Sequence, residues 1–175
     1  MALIFGMGAI LFSQETYTKH QIGINASKFV VLFNEQVNNL DLSYRYSFAK
    51  NQRIRLASSV DISTELGDIT DYELRLGYDF DIKDTHRWNF YSGVDFTFGE
   101  SISSSTNRRT TELGPYFFFG ALFKIGDHFS LSTEPSLAIF RKIRKDPESF
   151  DPDANSSWTE VKLLNIGQIK VGFHF

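Results

Sequence analysis

Four histidines, His20, His86, His128 and His174, are the side chains of this chain best suited to general-base work near neutral pH. Hydrolytic or acyl-transfer chemistry needs such a base beside a hydroxyl nucleophile. His20 opens the first alternating segment, His86 and His128 fall in short turns, and His174 is the penultimate residue. No nucleophile motif accompanies any of them, so polar turn or interfacial positions are the better reading. Asp151-Pro152-Asp153-Ala154-Asn155 begins like a calcium loop, but Ser156 stands where an EF-hand needs Gly and Lys162 where it needs a bidentate Glu. Asp146, Glu148, Asp151 and Asp153 read as a solvated acidic loop, with weak calcium binding as the lesser alternative. Cysteine is absent, which removes disulfides and thiolate metal sites. No catalytic residue, metal ligand set or cofactor is assigned.

The elements that would position any chemistry are written in a period of two. In Tyr72-Glu73-Leu74-Arg75-Leu76-Gly77-Tyr78-Asp79-Phe80-Asp81-Ile82 every even position is large and apolar, and every odd one is charged or Gly. Successive side chains of a strand point to opposite faces, so the segment is a strand with one greasy and one polar face. Punctuation by Gly, Asn, Asp and charge clusters predicts eight such strands, at about 20–33, 39–48, 53–63, 71–82, 88–99, 113–125, 129–142 and 161–175. No helical period competes. Short connections at 49–52, 83–87 and 126–128 contrast with long ones at 100–112 and 143–160, the end-to-end asymmetry of an up-and-down barrel. Pro135 falls inside the seventh strand, where its missing donor predicts a bulge or a local break.

At 175 residues the chain suits one domain. A net charge of -3 and a pI near 5.8 supply no basic stripe for nucleic acid. The mean hydropathy of -0.21 suits a soluble protein, but averaging over an alternating pattern hides a lipid-facing surface. Ala2 to Phe12 is one continuous apolar run, too short to span a bilayer as a helix, and it resembles the core of a secretory signal cut near Ser13 or Gln14. No Lys or Arg precedes Lys19, so residues 1–14 are read as an N-terminally incomplete signal peptide and 15–175 as the barrel domain.

Periodicity alone leaves two barrels open: a soluble lipocalin-type carrier with its apolar face around a ligand, and a membrane barrel with that face outward. Side-chain size separates them. The charged register also holds Gly23, Gly77, Gly93, Gly114, Gly120 and Gly172, a mixture of small and salt-bridging residues suited to a narrow filled interior. The other register carries so many rings, among them Tyr44, Tyr46, Phe48, Tyr78, Phe80, Trp88, Phe96, Phe98 and Phe119, that they would overfill a small lumen. The expectation is a closed eight-stranded antiparallel up-and-down transmembrane β-barrel, all-β, with strands long enough to cross a bilayer at a tilt. Arg55, Asp61, Glu73, Arg75, Asp79, Asp81 and Asp95 then form an interior charge network. Hairpins centred near Asp68 and Thr85 would place Arg75 between Asp61 and Asp95 and Arg55 opposite Asp81, plugging the lumen.

The chain ends Gln168-Ile169-Lys170-Val171-Gly172-Phe173-His174-Phe175. With the eight alternating strands, this terminus resembles the small outer-membrane β-barrel family of the OmpA/OmpX type. The resemblance implies an outer-membrane location, periplasmic termini, and a C-terminal signal read by the outer-membrane insertion machinery. Ile169, Val171, Phe173 and Phe175 match that signal, while Lys170 replaces its usual Gly. The activity of the periplasmic peptidoglycan-binding domain that often follows such barrels is not expected of these residues and is not carried over. Some barrels of this size modify lipid A, but the orientation puts every His at the periplasmic end, away from the outer leaflet. Arg108, Arg109, Arg141, Lys142, Arg144 and Lys145 flank the outer loops and are candidate contacts for lipopolysaccharide phosphates. The expected role is structural or interactive, with outer-membrane lipids and loop-bound proteins as partners; it is neither an open pore nor an enzyme. A lipocalin-like carrier is the alternative, and a lipid-modifying enzyme a more distant one.

Overall fold

The computed structural model describes residues 19–26, 38–62, 69–103, 108–145 and 156–175. The signal-like segment and the acidic residues Asp146 to Asp153 lie outside the described residues. All described elements are strands: β1 (His20–Asn25), β2 (Asn38–Ala49), β3 (Gln52–Ile62), β4 (Ile69–Asp84), β5 (Trp88–Ser103), β6 (Arg108–Ile125), β7 (Phe129–Thr133), β8 (Ser136–Lys145), β9 (Ser156–Leu164) and β10 (Lys170–His174).

Antiparallel pairing runs β1, β2, β3, β4, β5, β6, β7, β10 and back to β1, a closed ring of eight strands. Closure leaves this ring without an edge. The seam is tied by reciprocal backbone bonds, His20 N–H to the Phe175 carbonyl at 3.1 Å and Phe175 N–H to the His20 carbonyl at 3.0 Å. The β8–β9 hairpin continues the wall above β7 and β10, with β8 laddered onto the outer half of β6.

β7 and β8 are therefore two halves of one wall strand, interrupted at Glu134 and Pro135. The register against β6 is the same on both sides of the break, Ala121 facing Thr133 and Phe118 facing Ser136, so Pro135 removes a donor without inserting a residue. Its carbonyl still accepts from Phe119 N–H at 3.2 Å. β9 and β10 are likewise two halves of the last strand. Between Leu164, facing Ser136, and Lys170, facing Ser132, the last strand uses two more residues than its neighbour. Asn165 (φ 57°) and Gly167 (φ 75°) take the left-handed conformation that this bulge requires.

The strands outrun the sequence-based expectation at the loop ends. The connection expected at 100–112 is largely ladder, paired out to Ser103 and Arg108. Likewise, β8 reaches Lys145 and β9 starts at Ser156 inside the connection expected at 143–160. Alternation explains the extension, because Ser101, Thr111, Ile143 and Trp158 keep the period of two beyond the apolar belt.

Burial follows the period through the middle of the barrel. Leu76, Phe96, Ile54 and Phe80 point outward and are exposed, whereas Arg55, Asp79, Asp95 and Thr97 point inward and are buried. Inside, Tyr91, Tyr116, Phe118, Leu122, Ala138 and Phe140 from the β5, β6 and β8 side form an apolar cluster, with Leu164 packed against it. Gly120 lies directly beneath the Tyr91 ring, where a Cβ would find no space.

Candidate functional site in the barrel interior

β2, β3 and β4 present four guanidiniums to the lumen. Arg45 and Arg53 lie over the Tyr91 ring at 4.8 and 5.1 Å, Arg55 over Phe118 at 4.2 Å and Arg75 over Tyr116 at 5.0 Å. Each ring face offers the negative end of its quadrupole to a desolvated cation. The carboxylates complete the arrangement. Glu134, 1% exposed, is its centre: Oε1 accepts from Arg45 and, at 2.6 Å, from the Tyr91 hydroxyl, while Oε2 meets Lys170 Nζ at 2.6 Å and Arg55 Nη2 at 3.1 Å. Asp79 pairs with Arg45 at 3.1 Å and with Arg53, which also reaches Asp81 at 2.5 Å.

Gly77 makes one further pair geometrically accessible. It lies in the same row as Arg55 on β3 and Asp95 on β5. With no side chain between them, Arg55 Nε and Asp95 Oδ2 meet at 3.2 Å across its backbone, and a Cβ at Gly77 would strike the Asp95 carboxylate. Arg75 Nε binds Glu73 at 2.9 Å, with Asp41 at 3.7 Å from its Nη2.

All seven residues expected in the interior network face the lumen, but not with the expected partners. Arg55 faces Gly77 rather than Asp81, and Arg75 faces Thr97 rather than Asp95, because the hairpin registers differ from those inferred by four and two positions. Even-numbered shifts preserve the face and exchange the neighbours. Asp61 lies nearer the outer mouth, directly opposite Asp71, in a polar cavity of about 430 Å³ shared with Glu73, Glu112, Lys142 and Lys162. Arg45, Arg53, Glu134 and Lys170 join the network without being among the seven residues expected in it. Glu134 adjoins the proline that reads as an imperfection in its strand, and Lys170 is the departure from the terminal signal; both irregularities mark the interior hub.

Of the six basic residues near the outer end, Arg109, Arg141 and Lys145 face outward, whereas Lys142 and Arg144 face the lumen. Lys142 bridges Glu112 and, at 2.9 Å, Glu160; Arg144 covers Trp158 at 5.1 Å. Arg108 shares the inward register and is exposed at the rim. At the opposite end Ile169, Val171, Phe173 and Phe175 all face outward and are exposed. His174 Nε2 and Ser130 Oγ are 2.8 Å apart, the spacing of a base and a hydroxyl, but Ser130 is 1% exposed. Closely packed beside Gly172, that hydroxyl offers no approach to a substrate carbonyl. Among the described residues no group of three or more His, Cys, Asp or Glu converges as a metal site.

Ion pairs packed between rings fill the middle of the barrel; the arrangement can brace opposite walls and block a continuous water path. Neither a protein-family model nor a curated protein matches the chain.

Proposed function

We propose that this chain is an outer-membrane β-barrel with a sealed lumen, which acts as a structural or interaction protein through its outer end and is neither a diffusion pore nor an enzyme. The observation that carries the reading is the reversal of burial: Leu76 is 59% exposed and Phe96 55%, while Arg55 is 0%. Outward apolar side chains continue around the ring, through Ile22, Tyr44, Leu56, Leu74, Phe98, Phe117, Leu131 and Phe173. An apolar belt encircling a monomer far exceeds the patches that soluble proteins expose. On β4 it runs from Tyr72 to Ile82, which at ~3.3 Å per residue and a tilt of about 40° rises roughly 25 Å, the height of the lipid-facing band of such barrels. A carrier of a hydrophobic ligand needs the opposite burial.

The terminal segment 169–175, outward and aromatic at its end, supports assembly by the outer-membrane insertion machinery, and the apolar run 2–12 supports export. Termini in the periplasm then place the β5–β6 and β8–β9 hairpins outside the cell, available to partners. The test is fractionation combined with gel mobility. The protein is expected in carbonate-washed outer membranes, migrating faster unheated than boiled, with no stable nanosiemens-sized conductance from the purified monomer in planar bilayers. Recovery in the soluble periplasmic fraction, or a steady channel of that size, overturns the proposal.

A further inference from the structure

Resting on the membrane reading above, we propose that the outer face of the β6–β8 ladder binds the phosphorylated headgroup of an outer-leaflet lipid through Arg109, Arg141 and Lys145. Along the outward register of the described strands, formal charge occurs only at the ends: Lys83 at the inner end, and Glu100, Arg109, Arg141 and Lys145 at the outer end. The three outer cations share two adjacent strands. Followed around the wall, the row of Arg141 holds Leu74, Ser58 and Leu42 on β4, β3 and β2, and the row of Arg109 and Lys145 holds Thr70 on β4, so the charge is one-sided.

Within the cluster Arg109 stands directly opposite Lys145. Like charges directly opposed on one face of a ladder repel. Glu100 takes Arg109 Nε at 3.0 Å, and Arg141 Nη2 donates to Ser157 Oγ at 2.8 Å, while the Lys145 amine has no hydrogen bond or ion pair among the described residues. Among the described residues these three cations face one carboxylate, an excess of positive charge on this face that an anion would relieve. Ile143 lies between Arg141 and Lys145 on the outward face, Leu113 faces Arg141 across the ladder, and Ile139 follows directly below Arg141. A headgroup phosphate held by the guanidinium forks therefore leaves its acyl chains against an apolar wall, a match that a free phosphate ion does not exploit. Lys142 and Arg144, interleaved in the same run, face inward and do not contribute.

The test measures lipid retained by the detergent-purified barrel in native mass spectrometry, using bisphosphorylated lipid A and its dephosphorylated form as probes. The wild type is expected to retain the phosphorylated lipid. Combined Arg109→Gln, Arg141→Gln and Lys145→Gln should lower that retention more than about tenfold, and Lys83→Gln should leave it unchanged. Equal retention of both probes, or an equal loss with Lys83→Gln, overturns the site while leaving the membrane reading intact. Failure of the wild type to insert into vesicles, read by gel mobility, overturns the membrane reading and the site with it.

Discussion

Arg45 and Arg55 stand directly opposite one another on the lumenal face of the β2–β3 ladder, and Glu134 from the far wall takes one oxygen to each. Two guanidiniums so placed repel unless a carboxylate lies between them. Glu134 supplies it from the interruption between β7 and β8, so the break that Pro135 makes in the ladder carries the residue that ties the walls together.

Replacing Glu134 with Gln keeps the shape, strands Lys170 in a desolvated interior and leaves Arg45 and Arg55 with Asp79 and Asp95 alone. Breaking a buried pair from one side costs about 3–5 kcal/mol. The folded, fast-migrating band of Glu134→Gln is therefore expected to disappear at markedly lower urea concentration than that of the wild type. Lys170→Met in the same background removes the stranded cation and should recover part of the loss. Independent, additive effects would mean that Glu134 and Lys170 do not act as a unit.

Gly77 predicts a second effect, through space rather than charge. Gly77→Ala places a methyl where the Asp95 carboxylate lies, separating Arg55 from Asp95. Overpacking of this kind costs about 1–3 kcal/mol, and Asp95→Ala in the same chain should relieve only part of it, because the methyl also meets the Val94 carbonyl and the Asp95 Cα. A Gly77→Ala barrel as resistant to urea as the wild type would show that Asp95 moves aside freely.

The faces of the strands were legible in the sequence; the neighbours across the lumen were not. Alternation from Tyr72 to Ile82 assigns each side chain to a face without knowledge of the turns, and ring sizes against glycines decide which face is inside. Register depends instead on where each hairpin turns. Between Asp61 and Asp71, and again between Asp81 and Trp88, Gly, Asp and Thr offer several adjacent turning points of similar cost. Each alternative of even shift buries the same charges in new company, which is why Arg55 meets Asp95 and Glu134 rather than Asp81. Glu134 was illegible for a different reason. Its partners come from β2, β3, β5 and β10, contacts across the lumen that closure creates and no local pattern encodes.

The belt predicts a dependence on depth. Leu76 lies near the middle of the outward apolar run of β4, and Ile143 lies near the outer end of β8. In a bilayer, Leu76→Arg should cost about 2–4 kcal/mol and Ile143→Arg about 0–1, measured by urea titration of folding into vesicles. If both substitutions have equally small effects, the belt does not face hydrocarbon.

Phe175 separates recognition during assembly from stability after it. Its ring faces outward and stacks on His20 with centroids 5.4 Å apart, while its backbone closes the seam regardless of the side chain. The ring also stacks on Phe173 at 5.9 Å, and each such contact contributes about 0.5–1.5 kcal/mol, so Phe175→Ala refolded in detergent should unfold somewhat earlier than the wild type yet still fold. On the proposed reading of Phe175 as part of an outer-membrane assembly signal, the same substitution is expected in cells to reduce folded protein in the outer membrane severalfold. Pulse-labelling with appearance of the fast-migrating band measures this directly. Unchanged assembly kinetics would reduce Phe175 to an ordinary member of the apolar belt, whereas a large loss of stability in detergent would make its ring a structural clasp on the β1–β10 seam.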